Sequence, residues 1–104
     1  MIKPWFVYII RCADNTYYTG ISPDVAKRIT KHRMGLGAKY TRGKSPLVLV
    51  YVKKYANVSE ALKAERAIKR SSGLKAKLLD TFQQELKIQK DEEIREILLL
   101  TNII

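Results

Sequence analysis

The sequence predicts a small α+β domain: a three-stranded, mainly antiparallel sheet flanked by helices, in the order ββαβα with further helices at the C-terminus. Three observations carry this reading. Trp5 to Cys12 is aromatic and β-branched on both alternating faces, as expected of a strand covered on both sides. A turn, Ala13-Asp14-Asn15-Thr16, then leads into a returning strand from Tyr17 to Ile21, which makes a hairpin. Leu47 to Tyr55 supplies a third strand, apolar until Lys53, between two segments of helical periodicity. A chain of 104 residues is one domain able to bury a modest core.

Element by element, the local signals are specific. Gly20 inside the second strand needs a reason, and close approach of another backbone or a ligand is the usual one. Ser22-Pro23 opens the first helix, with Ser22 as N-cap and Pro23 at the first helical position, and the helix runs to about Gly35. Val25, Ile29 and Leu36 mark its buried stripe. Residues 35–46 (GLGAKYTRGKSP) form a glycine-rich, basic loop. Asn57 or Ser59 caps the next helix, which ends near Ser72-Gly73. Leu74 to about Phe82 reads as a further short helix, and the tail from Gln83 as helical too. The chain thus divides into a body, residues 1–82, and an acidic, apolar helical tail, residues 83–104.

Composition narrows the partners. The formal charge of +10 points to a polyanion, with nucleic acid favoured over an anionic membrane because no basic amphipathic helix with bulky aromatics on its apolar face is present. The charge is uneven: residues 1–79 hold 17 Lys/Arg against 4 Asp/Glu, whereas residues 80–104 hold 3 against 6. The start at Met1-Ile2-Lys3-Pro4 enters an apolar run that Arg11 halts; it is too short for a membrane helix and lacks a signal-peptide cleavage pattern. Cys12, the single thiol, suits a cytoplasmic protein and reads as a small core residue at a strand end.

Among the four acids of the basic region, Glu65 stands apart. Asp14 belongs to a turn, and Asp24 and Glu60 fall in first helical turns, where the dipole favours negative charge. Val58, Ala61, Leu62, Glu65 and Ile68 share one helical face, with Glu65 near its middle. Burying an unpaired carboxylate costs several kcal/mol at least, on the order of the desolvation penalty of a lone ion, so the position calls for a metal ion, a cation or a hydrogen-bond network. The alternative is a glutamate at the edge of the stripe, paired with Arg66 or Lys69.

Other residues carry chemistry of the same kind. Arg28 and His32 are an i, i+4 pair on the first helix, an arginine able to brace a phosphate with two donors and an imidazole able to relay a proton. Lys27, Lys31 and Arg33 read as solvated or backbone-contacting charge. Tyr8, Tyr17 and Tyr18 lie on the hairpin, where a phenol serves as a base at neutral pH only if cations or a metal favour the phenolate. The loop carrying Lys39, Tyr40, Arg42 and Lys44 mixes glycine, cations and one aromatic, suited to a phosphate backbone with a base stacked on Tyr40.

Val7-Tyr8-Ile9 followed about ten residues later by Tyr18-Thr19-Gly20 resembles, in variant form, the paired signature of the GIY-YIG nuclease domain. The resemblance continues in register through Arg28, His32 and Glu65, covers roughly residues 4–80, and is nearest to the small stand-alone bacterial members. It implies hydrolysis of DNA phosphodiester bonds with one divalent cation, Mg²⁺ or Mn²⁺. By that resemblance Glu65 is the metal ligand and Arg28 holds the scissile phosphate. Tyr8 or Tyr18 activates or orients the attacking water, and His32 assists proton movement. Gly20 lets strands and substrate come close, while Lys27, Lys31, Lys39, Tyr40, Arg42, Lys44 and Lys69 contact nucleic acid, DNA first and RNA second. The signature departs from the family form at Val7 and at Thr19 but keeps both tyrosines and the second glycine.

Two further expectations complete the reading. The competing function is a non-catalytic nucleic-acid-binding domain that works with a partner protein. In the tail, Ile94, Ile97, Leu98 and Thr101 share one helical face, widened by Leu99 and Leu100. That face either packs on the body, mediates a homodimer or partner contact, or shields the basic surface.

Overall fold

The strand that is apolar on both faces is the central one. In the computed structural model, which describes residues 3–102, β1 (Trp5–Arg11) lies between β2 (Tyr17–Ser22) and β3 (Val48–Tyr55) in an antiparallel sheet of order β2-β1-β3. Phe6 to Ile10 are all buried, so alternation between a wet and a dry face is lost along β1. The hairpin register pairs Tyr8 with Gly20 and Ile10 with Tyr18, and a bulge between Ile9 and Ile10 shifts the pairing with β3. Cys12 closes β1 as a buried free thiol.

Among the described residues four α-helices surround the sheet: α1 (Val25–Arg33), α2 (Val58–Arg70), α3 (Ser72–Glu85) and α4 (Glu92–Asn102). Short 3₁₀ turns cover Lys39–Thr41 and Leu86–Ile88. The α+β class and three-stranded antiparallel sheet expected from the sequence are those observed, and Asn57 is the cap of α2, its side chain accepting from the Glu60 amide. The Met1-Ile2 start of the chain and the last residues of the tail, 103–104, lie outside the described residues.

Three local expectations are corrected. Asp24, not Ser22, caps α1: Ser22 is still paired in β2 with Phe6, and its hydroxyl is taken by the Asp24 backbone, while the Asp24 carboxylate accepts from the Lys27 amide. Leu36 is exposed rather than core, because the chain turns away at Gly35 (φ 76°) and the helical period stops there. Gly73 lies inside α3 instead of ending α2. Ser71 does both jobs, its extended backbone terminating α2 and its hydroxyl accepting from the Leu74 amide to start α3.

The tail packs on the body. Ile94, Ile97 and Thr101 of α4 are buried and Leu98 half-buried, against β3 and α1, whereas Leu99 and Leu100 face outward. Two polar ties reinforce the contact. Lys54 of β3 reaches Asp91 and Glu93, each at 2.9 Å, and the Arg33 guanidinium donates to the carbonyls of Leu47 and Thr101. Arg33 is therefore a structural arginine turned into the fold.

Candidate active site

The site is built where β1, β2, α1 and the glycine-rich loop meet. Tyr8 points from the central strand toward α1, and its hydroxyl lies 2.9 Å from His32 Nε2. The other imidazole nitrogen, Nδ1, is 2.8 Å from the Thr41 hydroxyl, which donates to the Ala38 carbonyl at 3.0 Å. Tyr8, His32 and Thr41 are each about 1% exposed, so this line of polar atoms is almost dry. Tyr18 flanks it, its ring centroid 5.1 Å from His32 and 6.4 Å from Tyr8, and Tyr40 follows at 6.1 Å from Tyr18.

Two glycines make this packing possible. A β-carbon at Gly20 would meet the Tyr8 hydroxyl at 2.6 Å, and one at Gly37 would meet His32 Nδ1 at 2.4 Å. Both approaches exclude any side chain. The close approach at Gly20 is made by the Tyr8 side chain, not by the second backbone or ligand expected from the sequence.

Burial sets the protonation states. Desolvation pushes the Tyr8 phenol up to about 12, with the neighbouring Arg28 guanidinium pulling the other way. Desolvation, helped by the Arg28 charge, lowers His32 to about 4. Both groups are neutral at ordinary pH, and the imidazole has one bare nitrogen available. Tyr8 is also raised by the Tyr18 phenol and, more weakly, by the Glu65 carboxylate, while Arg28 acts on both Tyr8 and His32.

Glu65 projects from α2 with a side chain 17% exposed, and its carboxylate is 3.3 Å from Lys69 Nζ one turn on. On its helical face Ala61 and Ile68 are buried and Leu62 half-buried, but Val58 is exposed. Lys69, counted among the nucleic-acid contacts, is the partner of Glu65. Glu65 is the one acid of the cluster, and among the described residues no three His, Cys, Asp or Glu side chains converge as a metal cage. A single hard carboxylate oxygen on a strongly basic body still fits Mg²⁺ or Mn²⁺, which are held by one or two carboxylates together with substrate phosphate oxygens and water.

The basic residues divide into groups. Lys3, Lys27, Arg28 and Lys31 line a hollow of about 330 Å³ together with Ser22, Pro23 and the acidic cap residue Asp24. A second hollow, about 240 Å³, lies among Tyr17, Tyr18, Thr19, Tyr40, Lys69 and Lys75. Lys39 and Arg42 are exposed on the loop. Lys44 sits 3.9 Å over the Tyr40 ring and 3.4 Å from Asp14, so part of its charge is already matched. Thr41, Gly37, Lys3 and Lys75 are the members that sequence reasoning did not single out. Only the glycine content of the loop hinted at one of them.

Comparison with known proteins agrees with the geometry. The chain matches the GIY-YIG catalytic domain over residues 4–78. It is 52% identical over 68 residues to a UPF0213 protein of Cronobacter sakazakii, covering 65% of this chain and 72% of that one. A UPF0213 protein of Oceanobacillus iheyensis is 44% identical over 86 residues, 82% of this chain and 100% of the relative. The solution NMR structure of a protein from E. faecalis aligns with a TM-score of 0.57 at 36% identity, over 80% of this chain and 90% of that one. With most of its length matched, this chain belongs to the GIY-YIG catalytic domain family, in the small form it shares with the UPF0213 proteins.

Proposed function

We propose that the protein is a metal-dependent endonuclease hydrolysing DNA phosphodiester bonds, selecting its substrate by structure rather than by base sequence. The observation that carries this reading is the packing of Tyr8, Tyr18 and His32 together on a strongly basic body, with Arg28 beside Tyr8 and His32 and the Glu65 carboxylate near enough to bias the Tyr8 phenol. Binding alone has no use for a carboxylate facing phosphate, whereas hydrolysis does.

Each residue has a part. Arg28, in the hollow with Lys27 and Lys31, braces the scissile phosphate and offsets charge in the transition state. Glu65 holds the divalent cation, Mg²⁺ or Mn²⁺, which when bound supplies Lewis-acid stabilisation of the phosphoryl oxygens. Tyr8 is protonated at ordinary pH, so it orients the attacking water rather than acting as a standing phenolate, and the neutral His32 behind it assists proton movement. Tyr18 walls the site, and Tyr40 offers a ring to a base. Lys39, Arg42, Lys44 and Lys69 follow the nucleic-acid backbone. The catalytic unit is residues 1–82, acting in the cytoplasm, and the tail of residues 83–104 is a candidate surface for a homodimer or a partner protein.

The test is cleavage of end-labelled single-stranded, duplex and branched DNA, with RNA alongside, in Mg²⁺, Mn²⁺ or chelator. Metal-dependent cutting supports the proposal. The ion pair between Glu65 and Lys69 favours a second reading, because a carboxylate already matched by a lysine needs no metal. Salt-sensitive binding with no cutting of any substrate would select that reading, a binding module working with a partner.

A further inference from the structure

We propose that Thr41 is a positioning residue for His32: it holds the proton on Nδ1, leaves Nε2 bare, and so fixes the Tyr8 hydroxyl as donor to the imidazole. Nothing in the family match or in the signature residues assigns a role to this threonine, and the inference rests on the hydrolytic reading only for its catalytic consequence.

Each proton along this buried line has one place to go. Ala38 O is only an acceptor, and the Thr41 hydroxyl lies 3.0 Å from it, so the single hydroxyl proton of Thr41 goes there. The Thr41 oxygen then faces His32 Nδ1 at 2.8 Å with its lone pairs and accepts an N–H from it. A neutral imidazole carries one N–H, so Nε2 has none and accepts from the Tyr8 hydroxyl at 2.9 Å. The Ala38 amide, 3.3 Å from Nδ1, is the longest of these contacts and the one this arrangement leaves unmade. The opposite tautomer sets the lone pairs of the Thr41 oxygen against either Nδ1 at 2.8 Å or the Ala38 carbonyl at 3.0 Å. The Thr41–Nδ1 and Tyr8–Nε2 contacts survive in either tautomer with the donor reversed, so the choice lies between the 3.0 Å bond to the Ala38 carbonyl and the 3.3 Å bond from the Ala38 amide, and the shorter one favours the proton on Nδ1. Thr41 is itself 1% exposed, so no water replaces its hydroxyl, and the absence of a side chain at Gly37 lets the imidazole seat against the loop.

The direction of the Tyr8–His32 bond fixes the path of the proton. A water attacking phosphorus gives its proton to the Tyr8 oxygen as the Tyr8 proton passes to His32 Nε2. The new P–O bond forms while the bond to the leaving oxygen breaks; that oxygen departs as an alkoxide and takes a proton from solvent, while the imidazolium, made acidic by burial, gives its Nε2 proton back to solvent and keeps its Nδ1–H on Thr41. No oxidant, reductant or further reactant enters. Tyr8 is regenerated within the step, which suits a phenol too weakly acidic to remain ionised.

The experiment is ¹⁵N NMR of the His32 ring in metal-free protein, which has only this histidine, for the wild type, Thr41→Val and Thr41→Ser. The expected wild-type spectrum shows the proton on Nδ1 and a bare Nε2. In Thr41→Val that preference is lost and cleavage falls by about 10- to 100-fold, as for outer partners that orient a functional histidine; Thr41→Ser restores both. A wild-type proton on Nε2, or an unchanged tautomer in Thr41→Val, overturns the proposal. If Thr41→Val does not fold, the wild-type spectrum and Thr41→Ser still decide it. If no variant cuts DNA, the nuclease reading fails while the ring spectrum continues to judge the role of Thr41.

Discussion

The Tyr8 hydroxyl lies directly over Gly20, its partner across the hairpin, with no room for a β-carbon between them: one built there would stand 2.6 Å from the phenol oxygen and 2.7 Å from Cζ. Backbone at Gly20 cannot retreat without breaking the β1–β2 pairing, so the ring must tilt instead. Gly20→Ala is expected to cost about 1–3 kcal/mol of stability, as overpacking of a tight core does. It also pulls the hydroxyl from His32 and lowers cleavage. Thermal unfolding and a cleavage assay on the same sample check both; an unshifted midpoint with full activity would show that the strand yields.

Replacement of Tyr8 by Phe removes the hydroxyl and leaves the ring. Cleavage is expected to fall by about 10²- to 10⁴-fold, the usual worth of a positioned proton-transfer group, with DNA affinity unchanged. Single-turnover rates with a parallel binding titration separate the two. An equal loss in Tyr18→Phe and none in Tyr8→Phe would move the water-orienting role to Tyr18.

The sole histidine gives a clean pH signature. Its folded-state value, about 4, lies below the unfolded value near 6.5, so the unfolded chain takes up a proton that the folded chain refuses. The stabilisation from keeping His32 neutral is complete above about pH 6.5 and declines as pH falls toward 4. Over that window the loss is expected to reach about 2–3 kcal/mol. Asp14 and Asp91, held below the usual carboxylate range by hydrogen bonds from Thr16 and from Lys54, lose their contributions lower on the scale. Denaturant unfolding at several pH values, with His32→Gln as reference, measures it. The variant is less stable at pH 7 but has the flatter profile; parallel profiles would mean that His32 is already charged in the fold.

Arg33→Ala removes a guanidinium that joins the end of α1 to the Leu47 carbonyl and to the Thr101 carbonyl in α4. The expected cost is about 1–3 kcal/mol, because buried acceptors lose a charged donor. Hydrogen exchange is expected to quicken first in the α4 amides. Uniform quickening across the sheet would show instead that α4 and the body open as one unit.

The parts legible in the sequence are those governed by local periodicity. The two-faced apolarity of Trp5 to Cys12 marked the central strand, the turn at Asp14-Asn15 marked the hairpin, and the i, i+4 spacing brought Arg28 beside His32. The anomaly at Glu65 was visible because one charge interrupted an apolar stripe. What was not legible depends on chain reversal. Leu36 left the core because Gly35 turns the backbone, and Thr41 met His32 because the loop folds back over α1. Neither has a periodic signature. Arg33 looked like its solvated neighbours Lys27 and Lys31, and only the docking of α4 turned it into a structural group.

Whether Glu65 serves hydrolysis and not merely the fold is decided by Glu65→Ala, with cleavage and affinity measured on one DNA substrate in Mg²⁺. Because the substitution deletes a negative charge and frees Lys69, metal-dependent cleavage is expected to vanish while binding stays equal or tightens. A folded variant that still cuts at the wild-type rate would show that Glu65 holds no catalytic metal.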